Sequence, residues 1–120
     1  MRTPRVILLL LLLVTGVLWA GNAREEASIE HLIQTVESLK GAVFIRNGTE
    51  YSAKDAGQHL RLKLKLAGKR VKAAEDFIEV CATRSSFSGT AYQIRLPDGT
   101  ITEAAPFFRA KLRDYDDAHK

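Results

Sequence analysis

Six consecutive leucines, Leu8 to Leu13, set the first limit on what this chain can build. A run of that kind close to the N-terminus marks an export signal rather than a folded core. Arg2 and Arg5 precede it with no acid between them, Val6 to Ala20 is apolar apart from Thr15 and Gly16, and small residues follow. Basic, short apolar and small-residue segments in that order make a secretory signal. The competing reading is a permanent membrane anchor, but a spanning helix takes roughly 20 apolar residues and this run is shorter. Cleavage is expected after Ala20 or after Ala23; the first leaves bulky Leu18 at −3, the second puts Gly21 there. Neither is followed by Cys, so a lipoprotein signal is not expected. Residues 1–23 are read as the signal and 24–120 as a single exported, periplasmic domain with no lasting transmembrane anchor.

A domain of about 100 residues builds one modest core. Without Arg2 and Arg5 its net charge falls from +4 to +2, so global charge says little about partners. Cys81 is the one cysteine, which leaves no internal disulfide and makes packing the source of stability. Ala74, Phe77, Ile78 and Cys81 share a helical face, where a free thiol is buried and inert.

Arg24 to Lys40 has the period of an amphipathic helix, with Ile29, Leu32, Ile33, Val36 and Leu39 on one side, and Gly41 stops it. Ala42 to Ile45 is β-prone, and Asn47-Gly48 is the favoured two-residue hairpin turn, so Thr49 to Tyr51 returns antiparallel. His59 to Leu66 alternates like a strand. On a helix turning about 100° per residue, however, Ala53, Ala56, Leu60, Leu64 and Ala67 fall within one arc, and Ser52-x-x-Asp55 forms a capping box before them. Helix is the reading, with Leu62 and Leu66 covered on a second flank and Gly68 at its end. Ala73 to Ala82 is a shorter helix, and Thr83 to Gly89 a hydroxyl-rich loop. Tyr92 to Leu96, the Pro97-Asp98-Gly99 turn and Thr100 to Glu103 form a second hairpin. Pro106 suits the first turn of a last helix with Phe108, Leu112 and Tyr115 inward and a tail fraying from Asp116. The fold class is α+β: about four helices with a small antiparallel sheet.

Four stretches follow in order: Phe44-Ile45-Arg46-Asn47-Gly48, His59-Leu60-Arg61-Leu62-Lys63-Leu64, Ala74-Glu75-Asp76-Phe77-Ile78 and Ser85-Ser86-x-Ser88-Gly89-x-x-Tyr92. In residues and spacing they resemble the YfeK-like family of small periplasmic proteins of unknown function, across nearly all of the mature chain. The resemblance implies a periplasmic address in Gram-negative bacteria and brings no activity, catalytic residue or ligand. Ala73 stands where that family tends to have Thr, which removes a cap from the third helix. Ala91 stands where it tends to have Pro, which loosens the entry to the second hairpin.

Residues 54–72 hold Lys54, Arg61, Lys63, Lys65, Lys69, Arg70 and Lys72 against Asp55 alone, a net +6 that leaves the rest of the mature chain acidic. Lys54, Arg61 and Lys65 lie within about 40° on the helix, a stripe that suits an acidic envelope protein or another anionic envelope component. Solvated, snorkelling side chains are the plainer reading of such a run. Nucleic acid is not expected, because no aromatic residues are interleaved to stack bases. His59 follows Asp55 by one turn, and with Ser85, Ser86 or Ser88 a hydrolytic triad can be drawn, though no nucleophile elbow is present. The Ser85–Ser88 loop also suits a small anion or a simple helix-ending turn, and Arg46 sits at a hairpin tip. His31, His59 and His119 lack metal-ligand spacing, so no metal or cofactor is expected. A non-enzymatic binding domain using the basic helix is the leading expectation, with a small hydrolase built on His59 as the rival.

Overall fold

The computed structural model describes residues 23–120, so the expected export signal lies outside them but for Ala23. Helix α1 occupies residues 23–37. It is followed by β1 (Val43–Arg46), β2 (Thr49–Tyr51), α2 (Ala53–Ala67) and a 3-10 turn at Gly68–Arg70. Helix α3 begins as Ala74–Phe77 and continues with π-helical spacing through Ile78–Ala82; β3 (Gln93–Arg95), β4 (Ile101–Glu103) and α4 (Ala104–Ala118) complete the order. The described residues thus form an α+β domain with four helices and one antiparallel sheet.

The two hairpins expected from their turns merge into a single sheet in the order β2-β1-β3-β4. Asn47 and Gly48 both have positive φ, 52° and 76°, as a two-residue turn with the twist of its strands requires. The seam between the hairpins pairs Phe44 with Ile94. Ile94 is fully buried, and α1, α3 and α4 supply most of the remaining core: Leu32, Ile33, Val36, Phe77, Ile78, Cys81 and Phe108. Phe77 and Phe108 meet edge to face at 6.3 Å between ring centres. Burial pushes the Cys81 thiol up, away from the reactive thiolate.

Helix α2 forms where the alternating leucines admitted a strand. Ser52 Oγ accepts from Asp55 N at 3.2 Å and caps its start. The expected cover on a second flank is absent: Leu62 is 53% exposed and Leu66 72%. Residues two apart on a helix are about 200° apart, so Leu60 and Leu64 face the core while Leu62 and Leu66 face away. Gly57 lets α2 approach α1, because a Cβ there would stand 2.3 Å from Glu37 Cγ.

Local details refine these expectations, and some correct them. The cap lost at Ala73 is replaced by two carboxylates: Asp76 accepts from the backbone N of Lys72 and Ala73 at 3.0 Å, and Glu25 of α1 accepts from Ala74 N at 3.2 Å. The third helix is not regular to Ala82; Thr83 Oγ1 donates to Ile78 O, five residues back, at the point where it widens. The entry to β3 is pinned at Ala91 by a bridge to Arg84. Helix α4 runs to Ala118 instead of fraying from Asp116, with Tyr115 stacked between His31 at 4.5 Å and His119 at 4.0 Å. Among the described residues no helix is long and apolar enough to cross a membrane.

Candidate functional site

A cleft of about 340 Å³ opens between β1, α2, the start of β3 and the start of α4. That volume is near the lower end of the roughly 300–1,000 Å³ typical of small-molecule sites. Its walls are mainly apolar, from Phe44, Ile45, Leu60, Ala104 and Phe108, with the exposed Leu62 among the lining residues. The sheet contributes Arg46 from the end of β1, Tyr51 from the end of β2 and Tyr92 from just before β3. From α2 come Asp55 and His59. Lys63 follows one turn later on the same side, as i,i+4 spacing dictates.

These polar groups are linked. Arg46 Nη1 lies 3.1 Å from His59 Nε2 and 3.3 Å from Nδ1. A neutral imidazole has one nitrogen free to accept from the guanidinium, whereas a charged ring has none. Burial, then the charges of Arg46 and Lys63, hold His59 below its ordinary value of 6.5, so the neutral ring is favoured. His59 Nε2 is 3.3 Å from Tyr92 Oη, and Lys63 Nζ donates to that same oxygen at 3.0 Å. Lys63 also donates to Arg84 O at 3.1 Å. Arg46 Cζ stands 5.7 Å from the centre of the Tyr51 ring. Arg46 Nε is buried with no hydrogen-bond partner among the described residues.

The basic stripe is divided by the fold. Arg61 bonds both carboxylate oxygens of Glu30, at 2.9 and 2.8 Å, and both of Glu37, at 3.2 and 2.9 Å. Its charge ties α2 to α1. The Arg61 hydrogen bonds hold the Glu30 carboxyl below its usual range. Lys54 and Lys65 remain exposed and form no ion pair among the described residues.

The serine loop is bound to the first hairpin. Ser85 is buried, and its Oγ accepts from Phe87 N, Ser88 N and Asn47 Nδ2. Ser88 Oγ donates to Asn47 Oδ1, while Ser86 is exposed. Among the described residues His59 hydrogen-bonds no serine and Asp55 does not hydrogen-bond His59, so the groups of the drawn triad are not joined. No group of three or more His, Cys, Asp or Glu side chains there is arranged to hold a metal ion. Sequence reasoning named Arg46 and His59 but gave no role in a site to Tyr51, Tyr92 or Lys63. The His59-to-Lys63 spacing was a usable signal; the arrival of two tyrosines from different strands was not.

Residues 23–116 match a family of unknown function, DUF5329. The chain belongs to this family. It is also 40% identical over 82 residues to the uncharacterized protein YfeK of Salmonella typhimurium strain LT2, covering 68% of each chain. No solved structure matches it. Membership in DUF5329 agrees with the YfeK-like resemblance and assigns no chemistry, so the arrangement around Arg46 has to speak for itself.

Proposed function

We propose that this DUF5329 protein is an exported, periplasmic binding domain without catalytic activity, and that its recognition site is the cleft between β1, α2 and β3. Export is supported by the basic and leucine-rich N-terminal sequence. The observation that carries the binding reading is Arg46: a half-buried guanidinium at an apolar cleft, with a buried Nε that meets no acceptor among the described residues. Concave, mostly apolar sites with a few convergent polar groups are where small ligands bind. The hydrolase alternative lacks support, because His59 is occupied by Arg46 and Tyr92 and the nearby serine hydroxyls serve the loop.

The test is native mass spectrometry of the protein recovered from the envelope of its own host, beside a Gln58→Trp variant that narrows the cleft from an exposed position. A bound small molecule on the wild type, reduced at least fivefold in the variant, is the expected result. Equal occupancy in both, or none in either, overturns the reading. A second reading keeps Lys54 and Lys65 as a contact for an acidic envelope protein or other anionic envelope component, since both stay exposed and unpaired among the described residues. Lys54→Glu with Lys65→Glu tests it by crosslinking from α2, and an unchanged set of contacts removes it.

A further inference from the structure

We propose that the cleft binds a small amphiphilic monocarboxylate, with its carboxylate on Arg46 and its apolar body against Phe44, Leu60 and Phe108. This rests on the cleft being the recognition site and adds the class of ligand. The first support is a contrast among the arginines. Among the described residues Arg61, Arg84, Arg95 and Arg109 each pair with a glutamate, and Arg24, Arg70 and Arg113, which do not, are exposed, so Arg46 is the one arginine there that is both half-buried and unpaired. Arg46 pairs with no acid among the described residues, and its neighbour is an imidazole. Arg95 Nε is buried without an acceptor too, but its Nη2 meets Glu50. A guanidinium is a planar fork of donors that fits a carboxylate in bidentate fashion, and at Arg46 the protein leaves that fork without its acid.

The second support is the charge balance. Asp55 is the one acid lining the cleft, against Arg46 in the wall and Lys63 behind Tyr92. The lining alone is neutral and Lys63 adds at most one positive charge, which suits a monoanion better than a dianionic phosphate. Because Lys63 donates to Tyr92 Oη, the hydroxyl proton of Tyr92 is free to point to His59 or to a ligand oxygen. The third support is the lining: the walls are mainly apolar, and the volume of about 340 Å³ suits a medium-length acyl chain and not a long one.

Titration calorimetry with decanoate, 1-decanol, decyltrimethylammonium and acetate, on protein purified from cells expressing the full chain, tests the inference. Decanoate is expected to bind at least tenfold more tightly than either other decyl compound, and acetate to show no saturable binding. Arg46→Gln is expected to weaken decanoate at least tenfold, to the level of decanol. Arg61→Gln, outside the cleft, is expected to change nothing. Near-ultraviolet circular dichroism checks that both variants fold, and the ligand series on the wild type stands without them. Decanol or the cation binding as well as decanoate, acetate binding alone, or an unmoved Arg46→Gln overturns the proposal. If decanoate fails while the native protein still carries a molecule that Gln58→Trp displaces, the ligand class is wrong and the cleft stands. If both fail, so does the binding site.

Discussion

Arg46 of β1 meets one side of α2 and Arg61 projects from its other side, and the two cations are treated in opposite ways. Arg61 is 42% exposed yet fully engaged, held by Glu30 and Glu37 as a tie between two helices. Arg46 is half-buried and has been left beside a neutral histidine with no acid to answer it. An exposed ion pair is satisfied by the protein itself and gains little energy from it. A cation held at an apolar cleft without a counter-ion is costly to the fold, and such expense is characteristic of sites that receive something. Charge counted along the chain cannot tell the two apart; counting acids within reach does.

The largest expected effect lies between the two sides of α2. Leu60 is buried and Leu62 exposed, so Leu60→Ala is expected to lower stability by about 2–5 kcal/mol and Leu62→Ala by no more than about 0.5 kcal/mol, read by urea unfolding. Equal losses would mean that α2 is covered on both flanks after all. Next, Arg61→Ala is expected to cost about 1 kcal/mol, less in high salt, because it unties α1 from α2 at a solvent-exposed pair. A loss unaffected by salt would break the distinction, since it would make the Arg61 network a buried one.

The two sides also answer to different pH. His59 titrates below 6.5 in the fold, so the unfolded chain binds more protons and stability falls as pH drops from neutrality through 6.5 toward the folded value. Glu30 is held below 4.5, so its contribution is present above that value and is lost as pH falls through its folded value. His59→Gln is expected to flatten the first slope and Glu30→Gln the second, each leaving the other in place. The smallest effect concerns the histidine itself: in Arg46→Gln its midpoint, followed by NMR, is expected to move up toward 6.5 without reaching it, since burial is the larger cause of the shift. An unmoved midpoint would remove Arg46 from the surroundings of His59.

Most of the fold was legible in the chain. Asn47-Gly48 and Pro97-Asp98-Gly99 announced the hairpins through backbone chemistry that few residues supply, and the period of α1 named its buried side. The exposed flank of α2 was not legible, because every second residue in its leucine run reads as apolar whether or not a partner covers it. Nor was the share of Glu25 in the substitute cap at α3, since it reaches Ala74 across 49 residues. The candidate site was half visible. Arg46 and His59 each stood out by type, but only the pairing of β1 with α2 brings them together, and the glutamates that occupy Arg61 belong to a helix whose place beside α2 no local pattern reveals.

The seam joining Phe44 to Ile94 has a consequence for how the chain matures. Each hairpin closes a short loop and can form early, whereas pairing β1 with β3 closes a loop of about fifty residues, which is entropically the more expensive step. The cleft borrows one wall from each hairpin, so a half-assembled chain possesses both ribbons and no receptacle. Occupancy would accordingly favour the finished state by mass action, and a ligand for this site would serve as a folding sensor for the protein that carries it.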